Sequence, residues 1–171
     1  MDPYDASTRS TPSGRPSVAD TKAGTAIARG IAVFLAGVAL ALWIVFGRFL
    51  FGVGGELTPI YLLIGIVIVF LYAFIGQAMA RAATRGYLTR RATLVTLIAA
   101  WGCGILLGLT IPDVTPDGLQ TVISGTAEPW RGIAIGLANP AGIITVALSI
   151  AALVLANQDA RGPRPSDDET P

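Results

Sequence analysis

The chain has 171 residues, 53% of them hydrophobic and 13% charged, with a net charge of +1. Soluble domains carry roughly 25% charged residues, so this composition points away from that class. No histidine and a single cysteine, Cys103, exclude serine–histidine catalysis and the usual zinc or iron ligand sets. A chain without a basic stripe and interleaved aromatics is not expected to bind nucleic acid.

Residues 1–24 are rich in Ser, Thr, Pro and Gly and too polar to offset the entropy of ordering, which predicts a disordered tail. The first apolar run, 27–46, starts after this tail and exceeds the 7–15 residues of a signal-peptide core, so it reads as an uncleaved helix, with the span extending to about residue 53. Ala28, Ala32 and Ala36, and Gly37 with Ala41, recur at helix-packing spacing along it. Arg48 follows the run and is expected to reach the headgroups along its own stem. The glycines at 47, 52, 54 and 55 then allow a tight turn.

Thr58 reads as an N-cap and Pro59 as the first helical residue of a second span, 59–80, built on the apolar run 60–79. The short basic connector 81–91 makes spans two and three a helical hairpin. The third span, 91–111, carries the pair Gly104 and Gly108, with Trp101 as a packing wedge whose indole N–H needs an acceptor. Cys103 inside it reads as a small buried hydrophobe.

Residues 112–138 are expected to form an outer loop with short helices. Pro116-Asp117-Gly118 marks a turn, and 119–123 fits one or two helical turns. Asp113, Asp117 and Glu128 are too few to hold calcium and read as solvated carboxylates. Trp130 suits the membrane interface, and Gly132 and Gly136 repeat the close-packing spacing. Asn139-Pro140 interrupts the last apolar run, 133–156. Asn before Pro is a good helix start, which favours a break here, with a short outer or re-entrant helix over 129–138 and a span over 139–156. One long helix from residue 129, kinked at Pro140, is the alternative. Residues 157–171 read as a second tail.

The fold class predicted is therefore all-α: a polytopic membrane protein whose domain, 25–156, packs four transmembrane helices into an antiparallel bundle. Ten basic residues fall in the tails and the 81–91 connector, against Arg48 and Arg131 on the other side. Because Lys and Arg are retained on the cytoplasmic side, both termini are expected in the cytoplasm and the protein in the inner (plasma) membrane as a multi-pass protein. Thr11-Pro12 and Ser166 with its acidic neighbours are weak phosphorylation motifs in the tails.

The Pro/Ser/Thr-rich N-terminus, the Ala/Gly/Val/Arg-rich spans and the stretches 110–113 and 136–144 resemble small integral membrane proteins of high-GC actinobacteria with no assigned activity. That resemblance implies a layout and no chemistry. With no catalytic set, no cofactor or metal site and no intramembrane charge relay, the chain is expected to be a non-enzymatic accessory or scaffolding component. Its contacts are lipid, and a second copy or another membrane protein. The alternative is a small transporter or channel-like subunit that works as an oligomer.

Overall fold

The computed structural model describes residues 18–162, with side chains from residue 24 onward. The phosphorylation motifs and the tail segments 1–17 and 163–171 lie outside these residues. Four helices are long and apolar enough to cross a membrane: α1 (Val18–Phe46), α2 (Thr58–Thr84), α3 (Arg91–Thr110) and α4 (Trp130–Arg161). A 3-10 turn, Gly47–Phe51, prolongs α1 and ends at Gly52, whose φ of 71° needs a residue without a Cβ.

The helices overrun the expected boundaries at both tails. Residues 18–24 are helical rather than part of a disordered tail, and α4 continues through Arg161. Adding residues to an existing helix secures one hydrogen bond for each residue fixed, whereas nucleation is the costly step. A long apolar helix therefore carries its polar flanks with it.

The larger correction concerns Asn139-Pro140. No break occurs: α4 is one helix of 32 residues with Pro140 inside it, and no separate helix covers 129–138. Pro140 removes one backbone hydrogen bond, but a break would leave several N–H and C=O groups exposed in an apolar setting. The buried face Ala134, Ala138, Ala141, Thr145 and Ser149 also runs unbroken across the proline.

The segment before α4 also differs from expectation. In place of short helices, Asp113–Thr115 (β1) and Gly118–Gln120 (β2) pair as an antiparallel hairpin, with Asp113 opposite Gln120. The expected turn at Pro116-Asp117-Gly118 is its loop, and Gly118 has a φ of 104°.

Glycines set the helix contacts. A Cβ on Gly30 would lie 2.7 Å from the Gly76 carbonyl oxygen, so α1 and α2 touch backbone to backbone. Further along the same pair, Gly37 faces Tyr72 and Gly65 faces Val45. α3 meets α1 where Gly104 receives Leu40 and Gly108 receives Trp43. α3 meets α4 through Thr93 with Asp159 and Leu107 with Gly142. α2 meets α4 through Arg81 with Asn157 and Arg85 with Ala160. The buried core between them includes Leu40, Ile44, Ile68, Tyr72, Ile75, Ala152 and Ala156. Leu63, Phe70, Ile98 and Ile143 are more than half exposed on the outside of the helices, an apolar surface suited to lipid rather than water.

Candidate functional site

The two ends of the helix bundle each carry one buried carboxylate. At the hairpin end, the 3-10 turn swings Arg48 inward, where its side chain and that of Asp113 are both 0% exposed. Arg48 Nη1 lies 2.8 Å from Asp113 Oδ2. Asp113 also accepts backbone hydrogen bonds from Gly55 (2.7 Å), Leu57 (3.0 Å) and Val114 (2.8 Å). Three backbone N–H groups and the Arg48 ion contact surround a carboxylate that offers about four lone-pair sites. Such a group is held as a fixed acceptor.

The arginine is held on its other sides as well. Arg48 Nη2 donates to the Val45 carbonyl (3.2 Å), and the guanidinium lies 4.1 Å above the centre of the Tyr61 ring. Tyr61 donates its hydroxyl to the Pro112 carbonyl at 2.7 Å. Arg48 Nε and Nη1 have no hydrogen-bond partner among the described residues, so Nη1 meets Asp113 as an ion contact. The α1–α2 connector closes over the cluster: Glu56 N–H donates to the Val114 carbonyl (3.3 Å), and Gly55 lies so close to that carbonyl that no Cβ would fit. Asp113 therefore ties the end of α1, the start of α2 and the exit of α3 into one clasp.

This corrects two expectations. Arg48 does not extend toward headgroups and Asp113 is not solvated; Tyr61 is a buried partner of the arginine. Thr58 is the first residue of α2 rather than its cap; its hydroxyl donates to the Gly55 carbonyl (2.9 Å) while Asp113 takes the nearby N–H groups. A sequence signal for the pair did exist. An arginine beside an apolar run calls for an acid, and Asp113 follows the third run on the same predicted side.

The opposite end, rich in arginine, uses Asp159 in the same way with more water around it. Asp159 Oδ2 accepts from the Thr93 hydroxyl (2.8 Å) and the Arg90 N–H (3.1 Å), and Oδ1 lies 3.3 Å from Arg90 Nε. An acid here also complements the positive N-terminal end of α3. The Arg90 side chain is 58% exposed. Arg85 donates to the Ala160 carbonyl at 2.8 Å. Asp159 falls in the segment expected to be a tail, so this contact was missed; the acid stands only a few residues past the apolar run.

The predicted packing residues divide. Gly104 and Gly108 are filled from within the chain by Leu40 and Trp43, and Trp43 donates its indole N–H to the Ile105 carbonyl (3.2 Å). Trp43 is therefore the wedge with a satisfied N–H. Trp101 lines a groove of about 480 Å³ with Val33, Tyr72 and Leu97, and its buried Nε1 has no hydrogen-bond partner among the described residues. Gly132 and Gly136 face outward: a Cβ on Gly136 would meet nothing within 4 Å, and one on Gly132 only Glu128, at 3.6 Å. Asn139 and Pro140 are exposed on α4.

Glu128 pairs with Arg131 (Nε 2.9 Å) and accepts the Gly132 N–H at 3.3 Å, capping the start of α4. Between Ile123 and the first turns of α4 lies a recess of about 390 Å³, lined by Ala127, Trp130, Ile133 and Leu137 among others. Among the described residues no group of three or more His, Cys, Asp or Glu side chains is placed to hold a metal ion. Comparison with protein families, curated proteins and solved structures finds no match.

Proposed function

We propose that the protein is a non-enzymatic accessory or scaffolding component of the cell membrane. In this reading it presents the hairpin segment to another membrane protein. The observation that carries the proposal is the clasp. A buried Arg48–Asp113 pair, with three backbone N–H groups on the carboxylate, anchors a short hairpin, and that hairpin segment exposes Val114, Leu119 and Ile123 beside Trp130. Anchored apolar side chains at a polar rim suit association, and a buried carboxylate already engaged by three backbone N–H groups and an arginine suits a structural role.

The remaining parts of the reading follow from register and charge. Partner numbers run in opposite order along α1 and α2, and likewise along α3 and α4, which supports an antiparallel bundle. Arg81, Arg85, Arg90 and Arg91 cluster at the end away from the hairpin, which supports cytoplasmic termini and an external hairpin.

A photocrosslinking residue placed at Leu119 or Ile123, activated in intact membranes, tests the proposal. The expected result is one discrete adduct with a different membrane protein that co-purifies in mild detergent at a defined mass. Adducts with lipid or with this chain alone would overturn it. So would solute flux across vesicles containing only this protein, which would favour a transporter.

A further inference from the structure

We infer that the groove between α1 and α3 seats one anionic phospholipid, with an acyl chain along the helices and the headgroup phosphate at Arg29 and Arg91. This inference rests on the membrane-spanning reading above and is independent of any partner at the hairpin.

The arginines at the end away from the hairpin divide into engaged and unengaged. Arg81, Arg85 and Arg90 are held by Asn157, the Ala160 carbonyl and Asp159. Arg29 and Arg91 are exposed and make no hydrogen bond or ion pair with any described residue. Arg161 also makes none, but no residue of α4 lines the groove. On α1 the groove is lined by Val33 and Ala36, four and seven residues past Arg29. On α3 it is lined by Ile98, Gly102 and Ile105, seven, eleven and fourteen residues past Arg91. These intervals keep each arginine on the groove's face of its helix.

The two arginines also share a depth. Leu40 packs against Gly104, eleven residues past Arg29 (40 − 29) and thirteen past Arg91 (104 − 91). That difference is about 3 Å along the helix axis. The groove then runs through one leaflet. Trp101 lies ten residues past Arg91 (101 − 91), about 15 Å, or half of a core ~30 Å thick.

An anionic phospholipid matches this layout at both of its ends. The groove, about 480 Å³, is almost wholly apolar, as an acyl chain requires. Beside Arg29 a recess of about 250 Å³ opens against Gly86 and Leu88 of the connector and gives the headgroup room. Charge selects the headgroup. Two guanidinium groups meet a phosphate through charge-assisted hydrogen bonds, and basic residues at the membrane surface favour anionic lipid. A zwitterionic headgroup brings a cation that both arginines repel. A second copy seated by the same face would set arginine against arginine.

The test uses the full chain in mild detergent, with phosphatidylglycerol or phosphatidylcholine added and bound lipid counted by native mass spectrometry. One phosphatidylglycerol per chain is expected, held at least fivefold more tightly than phosphatidylcholine. Arg29→Gln and Arg91→Gln should each weaken it at least threefold, and Arg161→Gln should leave it unchanged. Gly102→Leu grows into open space on the groove wall and should weaken retention of either lipid, because it obstructs the chain. All four positions are exposed, so circular dichroism should register an unchanged fold in these variants. Glycerol phosphate, which carries the phosphate without a chain, should not displace the lipid. Equal retention of the two lipids, or retention indifferent to the paired arginine changes or to Gly102→Leu, would overturn the inference. So would equal sensitivity to Arg161→Gln, displacement by glycerol phosphate, or a dimer in place of the lipid adduct. Because the hairpin crosslink is read separately, failure of one proposal is distinguishable from failure of the other.

Discussion

Asp113 and Asp159 do the same job at opposite ends of the helix bundle under different solvation. Each is a buried carboxylate that collects backbone N–H groups where a helix begins or ends. Asp113 faces an arginine with no exposure at all, whereas the arginine beside Asp159 is 58% exposed. The dry pair is enclosed by the Val45 carbonyl, the Tyr61 ring and three backbone N–H groups, and connects three segments. The wet one joins α3 to α4 and leaves Arg90 free to sample water. A buried charge that loses its partner is strongly destabilising, while an exposed pair contributes little. The hairpin end should therefore be brittle to substitution and the arginine end tolerant.

Breaking the dry pair has the largest expected effect. Asp113→Ala leaves Arg48 buried without a counter-charge and frees three backbone N–H groups, so unfolding in detergent should become easier by about 3–5 kcal/mol. Replacing both partners, Arg48→Met with Asp113→Leu, should cost less than the sum of the single changes, because no lone charge remains. Additive single effects would mean that the pair is not coupled.

A second comparison, between the two glycine pairs, is sharpened by a matched substitution. Gly108→Leu places a side chain into the space of the Trp43 ring and should destabilise the fold by about 1–3 kcal/mol. Gly132→Leu should leave intramolecular stability within about 0.5 kcal/mol, since only the exposed Glu128 carboxylate is near. Unfolding curves that shift equally for both would contradict the division between a filled and a vacant pair.

How much of this the sequence revealed depends on the range of the interaction. Apolar run length placed all four helices, because the length needed to span hydrocarbon is a local property. Arg48 was misread for the opposite reason: alone it looks like a residue that stretches toward water, and Asp113, which reverses that preference, stands across two intervening helices. Pro140 was ambiguous because Asn-Pro favours both a helix start and a kink, and the tie is broken only by the unbroken buried face of α4. Trp101 and Trp43 are alike as sequence. Only the contact between α1 and α3 makes Trp43 the residue that fills Gly108.

The smallest expected effects return to the wetter end. Asp159→Ala removes the acceptor for the Thr93 hydroxyl and the Arg90 N–H, and should cost about 1–3 kcal/mol. Arg90→Ala removes only the exposed partner and should cost less than about 1 kcal/mol. Salt separates the two ends further. Salt screens exposed charges over a Debye length of ~8 Å at physiological ionic strength, shorter as salt is raised, and screens buried ones far less. The Arg90→Ala penalty should therefore fade as salt is raised, while the Asp113→Ala penalty stays constant. A salt-sensitive Asp113 variant would mean that water reaches Arg48, and the contrast between a dry and a wet end would collapse.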